Sequence, residues 1–309
     1  MKAVQFTHTG GPEVLETVEI AEPTPAPGQV RVAVSASAFN AADNGMRAGT
    51  LPLPVRLPHV PGYDVSGVVD AVGEGVDDLA VGDAVVGFLP MTENGGAAEK
   101  VVAPAEAWVA APTTVPLTDA AGLPSVALTA WQALFEHGEL QRGQRVLIVG
   151  AGGVVGTYAV ALAARAGAHV IATASARSVE KVHAAGADEI IDRADTALTD
   201  GVTAPVDVLL NLAPLEPEEF AGLVALVRDG GRVVSATAWM PTPDDAERDV
   251  RGSTVFVRSD RAQLAELVAL VDAGELTIEV TRRIPLAELP ALHAEAAGRG
   301  VSGKVVILP

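Results

Sequence analysis

Residues 146–156 read Val146-Leu147-Ile148-Val149-Gly150-Ala151-Gly152-Gly153-Val154-Val155-Gly156, and they run directly into the alanine-rich stretch Thr157–Ala166. The apolar run suits a strand buried on both faces. It breaks into a glycine turn, and the turn opens a helix. That order is the one a dinucleotide-binding βαβ unit requires, because glycines permit the tight turn and let the backbone approach a pyrophosphate at a helix N-terminus. The spacing is not the strict G-x-G-x-x-G: Gly156 falls late after Gly150 and Gly152, and Gly150, Gly153 and Gly156 instead give G-x-x-G-x-x-G. The expected pyrophosphate cradle is Gly150, Gly152, Gly153, Val154, Val155 and Gly156. A glycine-rich turn in an ordinary βα unit is the plainer alternative, and the strand and helix flanking the motif argue against it.

The chain next turns at Gly167 and enters a second strand, His169–Ala174. An NAD site usually carries a carboxylate about 20 residues beyond the glycines, where it holds the ribose hydroxyls. Here the region reads Thr173-Ala174-Ser175-Ala176-Arg177-Ser178, with no carboxylate before Glu180. Ser175, Arg177 and Lys181 suit a 2′-phosphate instead. The expected cofactor is therefore NADP(H) rather than NAD(H). Cations in a first helical turn oppose the helix dipole, which argues against mere surface decoration.

With 309 residues, 49% of them hydrophobic, the chain has material for about two domains. Lys and Arg total 21 against 39 Asp and Glu, a net charge of −18. Such a surface argues against nucleic acid or an anionic membrane as partner. The absence of cysteine excludes disulfides and thiolate metal sites. No apolar run is long enough to span a bilayer and no leader-like segment opens the chain, so a cytoplasmic protein is expected.

Punctuation divides the chain. Residues 1–110 carry short β-type runs split by Gly and Pro: Lys2–Phe6, Gln29–Ser35, Val65–Val72, Ala84–Phe88 and Ala97–Val102. This rhythm predicts a compact, partly antiparallel β-domain. From about residue 120, strands at Val146–Val149, His169–Ala174, Glu189–Ile191, Val206–Asn211, Arg232–Ala236 and Thr254–Val257 alternate with helices. The helices expected are Thr157–Ala166, Val179–Ala185 and Glu218–Val227. Alternation of this kind predicts a doubly wound parallel sheet. A helix at Arg261–Ala273 precedes Ile278–Ile284 and a closing strand Gly303–Leu308, which are expected to return to the first domain. The boundaries predicted are 1–120 with 259–309 for one domain and 121–258 for the other.

Several separated stretches occur in a familiar order: Pro61-Gly62-Tyr63-Asp64-Val65-Ser66-Gly67-Val68-Val69, Val81-Gly82-Asp83-Ala84-Val85, Leu128-Thr129-Ala130-Trp131, the glycine turn, Gly186-Ala187-Asp188 and Gly303-Lys304-Val305-Val306. Through them nearly the whole chain resembles the medium-chain dehydrogenase/reductases, in their zinc-free quinone oxidoreductase and enoyl reductase-like branch. The resemblance implies an α/β protein, with a GroES-like β-barrel catalytic domain built from both chain ends and a doubly wound Rossmann cofactor domain. It implies an active site in the cleft between them, and a homodimer. An exposed outer edge at Thr254–Val257 gives such a dimer a place to form.

Zinc alcohol dehydrogenases of this superfamily bind catalytic metal through two cysteines and a histidine. Motif matching puts those positions at Asn40, Tyr63 and Ser125, a set that does not make a tetrahedral zinc site. Ala42 falls at the hydroxyl relay position. No metal is therefore expected. The implied chemistry is hydride transfer from NADPH to the conjugated C=C of an enone or quinone-type small molecule, with hydrogen-bond donors meeting the charge that develops on oxygen. Asn40, Tyr63 and Thr129 are the candidate catalytic residues. Asn40 resembles an asparagine that touches the nicotinamide ribose, or it is a turn residue closing the strand Arg31–Phe39. Tyr63 either donates a proton or fixes a water, or it is a packing tyrosine. Asp43 reads as a turn cap, and Asp64 as a partner for Arg47 or Arg56.

Asn211 and Val257, at strand ends, are further candidate cofactor contacts. So is Lys304, which resembles a C-terminal lysine near the cofactor, although an exposed strand-edge charge is the simpler reading of it. Trp131 reads as interface core, Trp239 as a substrate contact, and His8, His137 and His183 as surface. The loops Thr50–Pro61 and Pro241–Gly252 are expected at the substrate mouth. Gly45 replaces a tyrosine common in the branch, which predicts a roomier pocket. An enoyl-thioester reductase and a non-catalytic NADPH-binding protein remain as alternatives.

Overall fold

The computed structural model describes residues 1–309 except Pro52, Asp195, Thr196, Ala238, Trp239 and Arg299, so the reading of Trp239 lies outside the described residues. Internal contacts divide the chain into two units, Met1–Ser125 with Ser259–Pro309, and Val126–Arg258. The first boundary lies beyond the expected residue 120, because Ser125 is tied by hydrogen bonds to Asp64 in the first unit.

The first unit opens with an antiparallel pair, β1 (Lys2–Gln5) and β2 (Glu16–Glu19). There follow β3 (Gln29–Ala38), α1 (Ala41–Ala48), β4 (Asp64–Val72), β5 (Ala84–Phe88), β6 (Lys100–Pro104), β7 (Trp108–Ala110) and α2 (Leu117–Ala120). Then α3 (Pro124–Trp131) leads into the second unit, widening into i→i+5 turns over Gln132–His137.

The second unit alternates β8 (Arg145–Val149), α4 (Val154–Arg165), β9 (His169–Ala174), α5 (Val179–Ala184), β10 (Glu189–Asp192), α6 (Leu198–Gly201), β11 (Val206–Asn211), α7 (Pro217–Leu223), β12 (Val227–Ser235) and β13 (Arg251–Thr254). Its six strands are all parallel, in the order β10-β9-β8-β11-β12-β13. This is the doubly wound order, in which the connections diverge after β8 and leave a crevice at the carboxyl ends of β8 and β11. Leu147, Val149, Ile171, Leu209 and Val233 supply one buried layer. Val146, Ile148, Val170 and Leu210 are equally enclosed, so both faces are covered. The near-continuous apolar strands in the sequence are the signature of that burial.

The chain returns to the first unit with α8 (Arg261–Asp272), β14 (Val280–Pro285), α9 (Leu289–Ala297) and β15 (Lys304–Leu308). The larger sheet of this unit runs β14-β15-β3-β4-β5-β7, with β6 also on β3. One edge of β3 follows β4 from Val30 to Ala38. Its other edge carries β6 at Gln29–Ala33 and β15 at Ser37–Ala38. Thus β3 is where the two ends of the chain meet. A core of Val4, Phe6, Phe39, Ile284, Leu289 and Ile307 seals one side of it.

Two predicted elements are corrected. The edge strand expected at Thr254–Val257 is Arg251–Thr254, with Ser235 pairing Thr254 at its end. The helix expected over Glu218–Val227 closes at Leu223 and passes through a tight turn, because Val227 is enclosed and pairs with Val206 in the sheet. Helix α4 begins earlier than Thr157, since its first turn starts on the glycines. The short helices α1 and α9 were not expected at all.

Candidate active site

Register in the first unit carries distant residues to the carboxyl end of β3. Ala38 faces Asp64 on one side and Val306 on the other. Continuing the antiparallel register past Ala38 sets Lys304 opposite Asn40. Asn40 follows the strand by two residues and caps α1, with extended backbone angles of φ −128° and ψ 156°. The return arm of the cap comes from Asp43, whose Oδ2 accepts the Asn40 N–H at 2.7 Å. The Asn40 side chain also reaches partners outside the cap.

Those partners form a closed cluster. Asn40 Nδ2 donates to Asp64 Oδ2 at 3.0 Å. Lys304 Nζ donates to Asn40 Oδ1 at 2.6 Å and to Asp64 Oδ2 at 3.0 Å. Ser125 Oγ donates to Asp64 Oδ2 at 2.7 Å and approaches Asn40 Oδ1 at 3.3 Å, while its backbone N–H reaches Asp64 Oδ1 at 2.8 Å. Asp64 and Lys304 are 0% and 2% exposed, and Asn40 is half-buried. Lys304 is therefore not an exposed strand-edge charge, and Asp64 does not pair with Arg47 or Arg56. Arg47 instead turns to the Gly10 carbonyl and to Asn44.

Asp43 sits beside this cluster, accepting from Asn40 N and at 3.2 Å from Gly62 N, as a cap should. Burial pushes its carboxyl up to about 7 against the pull of those two N–H groups, with Asp64 adding to the rise and Lys304 opposing it. Tyr63 is not part of the cluster. Its side chain is 1% exposed, and its hydroxyl is 2.6 Å from His59 Nε2 inside the domain. Burial raises the phenol and lowers the imidazole, so both stay neutral. Of the two readings, the packing tyrosine is the one the geometry describes. Thr129 lies on α3 and is half-buried.

Gly45 opens no extra room. A Cβ there would lie 2.8 Å from Leu51 Cγ, so the space is already filled. The sequence reading also passed over His59 and His293, both 0% exposed. A histidine inside an apolar context has no local signature.

In the second unit the glycine turn is held by long-range bonds. Gly150 takes φ +87°, a conformation that favours glycine, and its N–H donates to Thr173 Oγ1 at 2.8 Å. A Cβ on Gly156 would meet Gly150 O at 2.4 Å, so the first turn of α4 rests directly on the loop. Gly153 caps α4 without a side-chain bond, and the first intrahelical bond is from Thr157 N to Gly153 O. The N–H groups of Val154, Val155 and Gly156 consequently point out of the helix with no intrahelical acceptor.

The turn after β9 packs against this loop, and a Cβ on Gly152 would lie 2.4 Å from Ser178 Oγ. Ser175 and Ser178 close that turn through Ser178 N to Ser175 O at 2.8 Å and Ser175 N to Ser178 Oγ at 3.1 Å. Ser175 and Arg177 are exposed, Lys181 is half-buried on α5, and among the described residues Arg177 has no hydrogen bond or ion pair. At the end of β11, Asn211 is fully buried, its Oδ1 accepts from Ala213 N at 3.2 Å, and its Nδ2 has no partner among the described residues. Val257 is half-buried beyond β13, beside a largely exposed Phe256.

A GroES-like sheet domain and a doubly wound parallel domain on one chain define a medium-chain dehydrogenase/reductase. Residues 26–113 match the alcohol dehydrogenase GroES-like domain family, and residues 185–307 match the zinc-binding dehydrogenase family. A chloroplast envelope quinone oxidoreductase homolog of Arabidopsis thaliana is 31% identical over 326 residues, covering 100% of this chain and 98% of that protein. Among solved structures, an NAD-dependent alcohol dehydrogenase superposes with a TM-score of 0.89 at 31% identity over 100% of both chains. The mycobacterial protein Rv1454c, complexed with NADPH, gives 0.85 at 30% identity, also over 100% of both. The chain belongs to the medium-chain dehydrogenase/reductase superfamily, in its quinone oxidoreductase branch.

The family description invokes zinc, and the residues present do not fit it. Among the described residues no three His, Cys, Asp or Glu side chains stand together as metal ligands. Of the positions matching the zinc ligands, Asn40 and Ser125 are bonded to Lys304 or Asp64, and the Tyr63 hydroxyl is bonded to His59. A dinucleotide does fit: a backbone loop that a Cβ would fill, free N–H groups at a helix start, and an orphaned Asn211 amide nitrogen border the carboxyl ends of β8 and β11.

Proposed function

We propose that this protein is a zinc-independent, NADPH-dependent reductase that transfers hydride to the conjugated C=C of a quinone or enone. The observation that carries the reading is the turn Ser175–Ser178 packed on Gly152. That turn brings Ser178 against Gly152 of the expected pyrophosphate loop, and its residues include the exposed Arg177 and no carboxylate, which supports a 2′-phosphate over a bare ribose.

Gly150, Gly152 and Gly153 would shape the loop, and the N–H groups of Val154, Val155 and Gly156 would hold the pyrophosphate. Ser175, Arg177 and Lys181 would hold the 2′-phosphate, a charge-assisted contact that an NADH ribose lacks. Asn211 and Val257 would complete the cofactor wall. Bound NADPH would supply the hydride. On the substrate side, negative charge develops on a carbonyl oxygen, and Asn40 offers an amide donor to it without any metal. Thr129 adds a hydroxyl in the same reading. Lys304, 2% exposed and bonded to Asn40 Oδ1, would act through Asn40. The quinone oxidoreductase relatives support a quinone-type substrate. No basic cluster in Thr50–Pro61 or Pro241–Gly252 supports a polyanionic acyl-CoA.

The outer edge of β13 and the neighbouring Phe256, 68% exposed, support a homodimer paired across that edge. Light scattering at micromolar concentration tests it, and a monomer would sink it.

Fluorescence titration with NADPH and NADH, followed by NADPH consumption on a small set of quinones and enones, tests the reaction. The expected result is tighter NADPH binding with turnover. Binding without consumption of any acceptor overturns the reductase reading, and a preference for NADH overturns the role given to Arg177.

A further inference from the structure

The cluster under Asn40 is more elaborate than a helix cap needs. Asn40 Oδ1 accepts from Lys304 Nζ at 2.6 Å, and Ser125 Oγ, whose hydrogen goes to Asp64, lies 3.3 Å from it. Asn40 Nδ2 faces an acceptor, Asp64 Oδ2, at 3.0 Å. Neither contact survives a half-turn of the amide, because the oxygen would then meet a carboxylate and the nitrogen an ammonium. The amide is therefore locked in one sense. An amide nitrogen carries two hydrogens, and the one not given to Asp64 has no acceptor among the described residues. Asn40 is half-buried while its partners are closed to solvent.

Asp64 and Lys304 are themselves held. Asp64 takes the Ser125 N–H at 2.8 Å and the Ser125 hydroxyl at 2.7 Å. Lys304 Nζ spends its remaining reach on the Phe39 carbonyl at 3.5 Å. The ammonium has no proton left to offer a ligand, but its charge polarises the amide it touches. Donation into Oδ1 draws electrons from Nδ2 and makes the outward N–H a stronger donor.

We propose that Lys304, Asp64 and Ser125 are positioning residues that hold Asn40 as a one-hydrogen donor to an oxygen atom of the bound reactants. Deepening the reductase reading, this inference rests on it for its kinetic test. The oxygen is either the substrate carbonyl, where charge grows during hydride transfer, or a ribose hydroxyl of the nicotinamide end. The two share one chemistry and differ in what they change.

The experiment compares wild type with Ser125→Ala and with the double variant Asp64→Asn/Lys304→Met. The double variant removes both buried charges together, so the domain is not left with one unpaired. In it the Asn40 amide is free to turn over. With fold verified by circular dichroism, kcat on a quinone is expected to fall about tenfold or more in the double variant. A smaller fall is expected in Ser125→Ala. Unchanged NADPH affinity alongside that fall identifies the substrate oxygen, and an NADPH Kd weakened in parallel identifies the ribose. Folded variants with wild-type kcat and Kd overturn the proposal. The Asn40 side-chain 15N–1H pair, assigned through Asn40→Asp, gives a readout that needs no turnover. Its shift should change in both variants even if wild type reduces no quinone. An unchanged pair also overturns the positioning role.

Discussion

Lys304 Nζ stands 3.0 Å from Asp64 Oδ2, with both side chains closed to water. A buried pair of this kind is held by mutual attraction against the desolvation of each charge. Removing one partner leaves the other stranded. Lys304→Met is expected to cost about 3–5 kcal/mol in urea unfolding. Adding Asp64→Asn should recover much of that loss. A single variant within about 1 kcal/mol of wild type would show that the pair is not coupled in this way.

Asp43 makes stability depend on pH in the less usual direction. Its folded carboxyl titrates near 7 against an ordinary 3.8, so the folded chain binds a proton more tightly than the unfolded one. Its contribution is complete below about pH 4 and is lost as pH rises through 7, on the order of 4 kcal/mol in all. Asp43→Asn removes that dependence. The stability of the variant relative to wild type should therefore improve steadily from pH 4.5 to pH 8. A constant gap across that range would refute the assignment.

His293 works in the opposite sense. Burial, with Arg47 adding to it, depresses its imidazole to about 3 from an ordinary 6.5. The contribution is complete above about pH 6.5 and disappears as pH falls toward 3, on the order of 5 kcal/mol. Neither ring nitrogen has a partner among the described residues, and the ring packs edge-on against Phe39 at 5.1 Å. Replacing an orphaned polar group with an apolar one of similar size is often neutral or better. His293→Leu should keep the neutral-pH stability and soften the acid transition, both read from urea curves at pH 5 and pH 7.5. A variant as acid-labile as wild type would count against this account.

The parallel-sheet unit was legible because its signals are local. The glycine turn and its flanking strand and helix occupy one short stretch, and periodicity marks the strands on either side. The cluster around Asn40 was only half legible, because its members lie at positions 40, 64, 125 and 304 and meet through the register of β3 with β4 and β15. Motif matching supplied Asn40 and Ser125, yet nothing local distinguishes a buried Lys304 from an exposed strand-end lysine. Tyr63 misled for a related reason: a strand begins just after it, so its side chain points away from that of its neighbour Asp64. Helix α1 was missed because Asn44 and Gly45 are poor helix formers, and the Asp43 cap with Gly49 at φ +72° carries it instead.

Gly156 gives a test of the loop itself. The Cβ of an alanine there would lie within 2.6 Å of Ala151 Cα and 2.4 Å of Gly150 O, all backbone atoms that cannot step aside. Gly156→Ala is expected to lift α4 off the glycine turn, weakening NADPH binding by at least about tenfold and lowering the melting temperature. Gly143→Ala, where nothing lies within 4 Å of the added carbon but φ is +81°, supplies a control for backbone strain alone. Equal NADPH affinity in the Gly156 variant and wild type would refute the close packing.

On the proposed function, Arg177 is the residue that distinguishes NADPH from NADH. Arg177 is exposed and, among the described residues, has no hydrogen bond or ion pair, so removing its side chain should cost the fold almost nothing. A charged hydrogen bond to a phosphate is worth roughly 1.5–3 kcal/mol, or about 10- to 100-fold in affinity. Arg177→Ala should weaken NADPH by that factor and leave NADH nearly unchanged, since NADH has no group for the guanidinium to meet. Raising the salt concentration should erode the NADPH preference of wild type more than that of the variant, because an exposed ionic contact is screened. Lys181→Ala should show the same pattern more weakly from its place on α5. If both cofactors weaken equally, Arg177 supports the turn rather than reading the phosphate, and the NADPH assignment falls with it.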